Sequence, residues 1–190
     1  MQIKDDFISW SPTVSTRLLK CFIADTAKNT SKIYQSDSIH AFIQSKATKR
    51  MLVILDKEIS HFCPKLSQRV ERPLRLNKCL YGADFSSKSW YDILDSFLTN
   101  KLSFLRSRVD GCLYVYRKGD DWVKLINYVD DVLYFASRDK VREDFELSLR
   151  NRFNLSLLGE AKWYLGMRII QDKVFISLDQ DKYVKNNILI

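Results

Sequence analysis

The sequence predicts an α+β fold with a largely antiparallel sheet packed on helices. Three observations predict it. β-Rich runs at residues 112–116, 122–129 and 132–135 follow one another with only short turns between them. Helical apolar stripes stand before and after that block. The resulting order is helix, strand, strand, helix, three strands, helix, two strands, helix, which lacks the regular alternation of a parallel βαβ sheet. At 190 residues and 46% apolar composition the chain can bury a sizeable core. No internal repeat appears, and with Gly 5 and Pro 3 there is little room for a flexible linker, so residues 1–190 are read as one domain.

Along the chain, Leu18, Leu19, Phe22, Ile23 and Ala27 recur at helical spacing and predict a helix over residues 11–27. Residues 33–36 read as a short strand leading to Asp37, and the apolar run 51–55 as a buried strand. Pro64 and Pro73 bracket an irregular basic segment carrying Lys65, Arg69, Arg72, Arg75 and Lys78. The last four recur every three residues, which admits two readings: a solvated loop, or one cationic side of a polyproline-like backbone. Trp90, Ile93, Leu94, Phe97, Leu98 and Leu102 form the stripe of an amphipathic helix beginning after Ser86 or Ser87. Lys118-Gly119-Asp120 is the turn between the first two runs of the β block, and Asp130-Asp131 separates the second from the third. Val141, Phe145, Leu149 and Phe153 predict a further helix with Asp139 as N-cap. Strands over 163–170 and 174–178 flank Gln171-Asp172-Lys173, and Asp179 is placed to cap a C-terminal helix.

Charge and cysteine usage narrow the function classes. Lys+Arg 31 against Asp+Glu 23 gives +8, the footprint of a protein that meets a polyanion. Cys21, Cys63, Cys79 and Cys112 show no CxxC pairing and no histidine ladder, which argues against a zinc site or a disulfide scaffold and for reduced, buried thiols. Residues 1–30 mix charges among short apolar patches and form neither a signal peptide nor a membrane span. The expected setting is therefore intracellular, cytoplasmic or nuclear and not secreted, and the sequons at Asn29 and Asn154 are chance matches.

The chemistry concentrates in Tyr128-Val129-Asp130-Asp131, where two acids sit at the tip of an otherwise apolar hairpin. Aspartates in a turn need no ligand to explain them. Adjacent carboxylates at the end of buried strands do, because they repel strongly in low dielectric unless a cation lies between them. Mg²⁺ prefers carboxylate oxygens and shares its coordination with substrate phosphates, so this pair plus Asp37 makes a minimal phosphoryl-transfer set.

Tyr128 to Asp131 matches the YxDD signature of reverse transcriptases, and other blocks follow in that family's order. Gln35-Ser36-Asp37-Ser38-Ile39-His40-Ala41-Phe42 is similar to Q-M-D-V-K-T-A-F, and Leu76-Asn77-Lys78-Cys79-Leu80-Tyr81-Gly82 to L-x-K-S-L-Y-G. Ser89-Trp90-Tyr91 is similar to A-W-Y, and Asp110-Gly111-Cys112-Leu113-Tyr114-Val115 to D-P-C-L-Y-V. Leu158-Gly159-Glu160-Ala161-Lys162-Trp163-Tyr164-Leu165-Gly166-Met167 is similar to L-G-E-L-K-Y-F-L-G-I. The chain thus resembles the palm region of copia-type (Pseudoviridae) retrotransposon reverse transcriptases, with partial fingers and no thumb or RNase H.

The resemblance implies an RNA-directed DNA polymerase acting on an RNA or DNA template with primer and dNTP. It implies two Mg²⁺ ions held by Asp37, Asp130 and Asp131. Phe42 would be the steric gate below the sugar, with an ordinary core Phe as the other reading. Phe85 stands at the nucleotide-contacting glutamine, Leu165 and Gly166 lie at the primer grip, and Arg72, Arg75, Lys78 and Lys88 would border the nucleic-acid channel. No membrane and no specific protein partner is implied.

Three departures from the family pattern set expectations about activity. Phe85 replaces the glutamine of Y-G-L-K-Q-[AS]-P-R and can make no hydrogen bond to a sugar. Gln44-Ser45 replaces an Asn-Gly that permits positive φ. Nothing before Ser11 resembles the family's cationic fingers motif, so an inactive or truncated copy is expected. The rival from another class is a non-catalytic nucleic-acid-binding or structural remnant; an RRM module is disfavoured because no RNP signature accompanies any predicted strand.

Overall fold

The computed structural model describes residues 11–181 and Val184. In chain order its regular elements are helix α1 (Thr16–Lys28), strand β1 (Tyr34–Ser38), a 3₁₀ turn (Ala41–Gln44), β2 (Leu52–Ile54), α2 (Ile59–Phe62), a second 3₁₀ turn (Pro64–Arg69) and β3 (Pro73–Arg75). Then come α3 (Ser86–Ser96), a π-helical turn (Phe97–Lys101), β4 (Leu105–Arg106), β5 (Leu113–Lys118), β6 (Asp121–Tyr128), β7 (Asp131–Ala136) and α4 (Asp139–Arg152). The series ends with β8 (Leu155–Glu160), β9 (Trp163–Tyr164), β10 (Met167–Gln171) and β11 (Ile176–Asp179). The chain divides into two compact units, one holding Ala41–Ile93 and the other Pro12–His40 with the residues from Leu94 onward. The division falls inside α3.

The larger unit is built on a six-stranded sheet in the order β4-β5-β6-β7-β1-β8, every neighbouring pair antiparallel. The expected antiparallel α+β architecture is thus present. Strand β7 reads as a continuous apolar run because both of its faces are covered. On one side Phe135 meets Phe22 of α1 edge-on at 5.0 Å and Trp122 at 5.4 Å. On the other, Tyr134 meets Phe145 of α4 at 5.3 Å and donates its hydroxyl hydrogen to Glu146 at 2.9 Å. Arg142 also donates to that carboxylate, at 2.7 Å, so the buried Glu146 is paired.

Helix α1 buries Leu19, Phe22, Ile23 and Thr26, one stripe of a 3.6-residue period. It starts later than the periodicity predicts because Ser15 is the cap, its Oγ accepting from Leu18 N–H at 3.1 Å. Helix α4 matches its expected span, but Arg138, without a side-chain capping bond, holds the N-cap position, and Asp139 sits in the first turn. There its charge still favours the positive end of the helix.

The predicted strand over residues 163–170 is in fact two. β9 and β10 form a hairpin whose two turn residues are Leu165 and Gly166, at φ 49° and 78°. Positive φ at both positions is the geometry of a twist-matched hairpin turn, for which glycine is suited. With β11 these strands make a separate three-stranded sheet. The Gln171 side chain joins it to the residue just before β1, accepting from Ile33 N–H at 2.7 Å and donating to the carbonyls of Ile33 and Ala161 at 3.0 Å each, and Tyr164 and Ile169 share a core with Ile33. Asp179 accepts from Asp181 N–H at 2.6 Å, as a cap should, and most of the helix it was expected to start lies outside the described residues.

In the smaller unit, β2 pairs with β3. The run 51–55, expected to be buried, is not: Leu52 is 51% and Ile54 68% exposed, since a two-stranded ribbon covers neither edge nor both faces. The basic residues are exposed, but Arg69 lies in the second 3₁₀ turn, Arg72 in a bend and Arg75 in β3, so their three-residue period does not map onto one extended backbone. Nor do Gln44 and Ser45 take positive φ; the left-handed residue near them is His40, at 51°. The cysteines are all free, Cys79 and Cys112 buried as expected, whereas Cys63 is half-buried and Cys21 exposed.

Candidate active site

Strands β1 and β7 lie side by side with Asp37 directly opposite Asp131. The hairpin that ends β6 turns through Val129 and Asp130, so Tyr128 pairs with Asp131 and Asp131 opens the next strand instead of sitting in the turn. Ser38 N–H donates to the Asp130 carbonyl at 2.9 Å, which fixes the turn to the end of β1. More than ninety residues of chain therefore separate Asp37 from a pair that the sheet register puts beside it. Val129 at φ 55° is a β-branched residue in the left-handed region, a strained conformation that the two flanking strands impose.

All three carboxylates are half-buried. Burial raises the Asp37 carboxyl above the usual aspartate range, and the neighbouring Asp130 charge adds to the effect. Burial likewise raises Asp131; a hydrogen bond from Gln35 opposes this, and the charges of Asp37 and Asp130 reinforce it. The Gln35 amide donates to Asp131 Oδ1 at 3.0 Å. Sequence reasoning did not single out Gln35, although its place two residues before Asp37 puts both on one face of the strand. Two buried polar atoms lack a partner among the described residues, Asn127 Oδ1 and the Tyr164 hydroxyl. Tyr164 packs in the core that also receives Tyr128, and the similar family block has Phe at its position.

Leu165 and Gly166 belong to this same unit, as the exposed tip of the β9–β10 hairpin. The remaining sequence-predicted positions belong to the smaller unit. Phe42 is half-buried with its ring 4.5 Å from that of Tyr81, and Phe85 is buried, 3% exposed. Arg72, Arg75 and Lys78 are exposed. Lys88 is engaged by Asp92 one helical turn on, and its ammonium lies 6.0 Å from the Tyr91 ring centre.

Half-buried, mutually repelling carboxylates are a donor set that suits a hard divalent cation. Among the described residues no group of three His, Cys, Asp or Glu side chains stands ready to enclose a metal. That is compatible with Mg²⁺, which is commonly held through one or two carboxylates while substrate phosphates and water complete its shell. No described helix is long and apolar enough to cross a membrane.

Comparison with known proteins gives a consistent picture. Residues 3–189 match the family described as reverse transcriptase (RNA-dependent DNA polymerase). The chain is 26% identical over 182 residues to the retrovirus-related Pol polyprotein from transposon TNT 1-94 of Nicotiana tabacum, a match covering 93% of this chain and 13% of that protein. It is 23% identical to the corresponding polyproteins from transposons RE1 and RE2 of Arabidopsis thaliana, over 93% and 92% of this chain and 12% of each of them. The chain thus spans about an eighth of the length of these relatives. No solved structure matches significantly. With the family match running from residue 3 to residue 189, the chain belongs to the reverse transcriptase (RNA-dependent DNA polymerase) family, in its copia-type branch.

Proposed function

We propose that this chain is the palm-centred part of an RNA-directed DNA polymerase, with Asp37, Asp130 and Asp131 as its catalytic carboxylates. The observation that carries this reading is the register of β1 against β7, which sets Asp37 opposite Asp131 while Ser38 ties down the Asp130 backbone. Two Mg²⁺ ions bound here would supply activation of the primer 3′-hydroxyl and neutralisation of the leaving pyrophosphate. The chain's own share is positional. Gln35 holds one Asp131 oxygen, leaving the other for a ligand. Phe42 would exclude a 2′-hydroxyl from the dNTP site, Leu165-Gly166 would steady the primer, and Arg72, Arg75, Lys78 and Lys88 would contact template–primer phosphates.

A second reading is a non-catalytic remnant that keeps the fold and binds nucleic acid. Phe85 favours it, because a buried phenyl ring stands where the family has an amide that contacts the nucleotide. We expect low activity from the chain by itself on this ground. The test is primer extension on an RNA template with Mg²⁺, by the chain alone and fused to an upstream fingers segment from a relative. Mg²⁺-dependent extension by the fusion, abolished by Asp130→Asn, supports the polymerase reading. Failure of both proteins to extend, together with no Mg²⁺-induced stabilisation of the chain, would leave only the remnant.

A further inference from the structure

The larger unit contains a cavity of about 620 Å³, a volume within the range of small-molecule sites. It opens among the π-helical turn, the β5–β6 hairpin and α4. Asp121 lines it and Tyr128 adjoins the carboxylate turn, at opposite ends of the eight-residue strand β6, so about 23 Å of extended strand separates them. The cavity is therefore distinct from the site described above.

Its floor is aromatic. Phe104 lies 5.6 Å from Tyr116 and 5.5 Å from Phe145, centre to centre, and all three line the space. Its rim is cationic, with Lys101 and Lys118 both exposed. The two acids of the lining are already engaged: Asp121 takes two bonds from Arg138 at 2.8 Å, and Asp144 pairs with Lys140 at 2.9 Å. The wall that carries Lys101 is the π-helical turn that ends α3, followed by Ser103 at φ 59°. Aromatic rings and exposed lysines lining one space, with the acids of that lining otherwise paired, match a ligand with a flat apolar body and an anionic end.

We propose that this cavity is a binding site for a small aromatic anion, with its ring against Phe104, Tyr116 and Phe145 and its charge at Lys101 and Lys118. The inference does not depend on the polymerase reading. Titration of the full chain with 1-naphthoate, followed by amide NMR, should shift signals of residues 101–104, 116–118 and 144–148 while leaving residues 35–38 and 128–131 unmoved. Two losses are expected. Uncharged 1-naphthalenemethanol should bind about tenfold more weakly, and the doubly substituted Lys101→Ala/Lys118→Ala chain should lose about tenfold in naphthoate affinity, a difference of about 1.4 kcal/mol. Ser148→Phe, which fills the space from the face of α4, should abolish the shifts while the rest of the spectrum stays dispersed. Shifts confined to other residues, equal binding of acid and alcohol, or naphthoate affinity unchanged in the lysine variant would each overturn the proposal.

Discussion

Gln35 donates from Nε2 to Asp131 Oδ1 at 3.0 Å, from the strand that holds Asp37 directly across from Asp131. One amide and two carboxylates thus share a short stretch of ladder, and the amide offsets only part of the cost of holding the charges there.

That cost has a defined pH dependence. Burial and neighbouring charge raise both carboxyls, so each binds its proton more tightly in the folded chain than in the unfolded one. The stability they contribute is fully present below the unfolded aspartate value, about 3.9, and is lost as pH rises through the higher folded values. The metal-free chain should therefore lose stability relative to an Asp37→Asn/Asp131→Asn variant as pH is raised from the acid range to 7. Mg²⁺ should return stability to the parent alone, by about 1.4 kcal/mol at ten times its dissociation constant. Urea unfolding of both proteins across pH, with and without the ion, measures this; a pH-independent difference between them would refute it.

The clamp made by Gln171 predicts a larger effect. Gln171→Leu removes three hydrogen bonds and strands the Ile33 N–H and the Ala161 carbonyl, both on buried residues, next to the strand that carries Asp37, while the Ile33 carbonyl keeps its bond from Ala161 N–H at 2.8 Å. Leaving buried backbone groups unsatisfied should cost about 2 to 4 kcal/mol. A loss under about 1 kcal/mol in chemical denaturation would mean that water replaces the side chain.

Tyr164 predicts a change of opposite sign. Its hydroxyl is buried without a partner among the described residues, and burial drives its ionisation far upward. Tyr164→Phe should stabilise the chain by about 1 kcal/mol by removing a desolvated polar group. The midpoint of urea unfolding should rise with its slope unchanged; a fall would reveal a partner for the hydroxyl.

The exposed cations of the smaller unit predict salt-sensitive binding of a primer–template duplex. If Arg72, Arg75 and Lys78 each meet one phosphate, replacing all three by Ala should reduce the slope of log affinity against log salt by about 2 to 3. Lys88→Ala should change it less, because Asp92 already neutralises that ammonium. A slope unaltered by the triple substitution would remove these residues from the interface.

The sequence by itself determined the elements whose burial is local and regular. The hairpin of β6 and β7 was legible from dense β-branched and aromatic runs broken by a two-residue turn, and α3 and α4 from apolar stripes such as Trp90, Leu94 and Leu98, all three buried as expected. The acids of the candidate site were legible too, because paired carboxylates in an apolar setting stand out chemically and because ordered motif blocks surround them. What the tertiary structure decided was everything that depends on a partner strand. Strand β8, absent from the sequence reading, exists through its pairing with β1, with a register shift between Gln35 and Ser36. Leu52 and Ile54 have the composition of core residues and lie exposed because β2 has only β3 beside it. The break at Leu165-Gly166 came from hairpin geometry that two residues of otherwise strand-like sequence do not announce. The placing of Asp37 opposite Asp131 is of the same kind: residue type names the groups able to hold a cation, but only sheet register, set by long-range pairing and packing on both faces, brings two of them together.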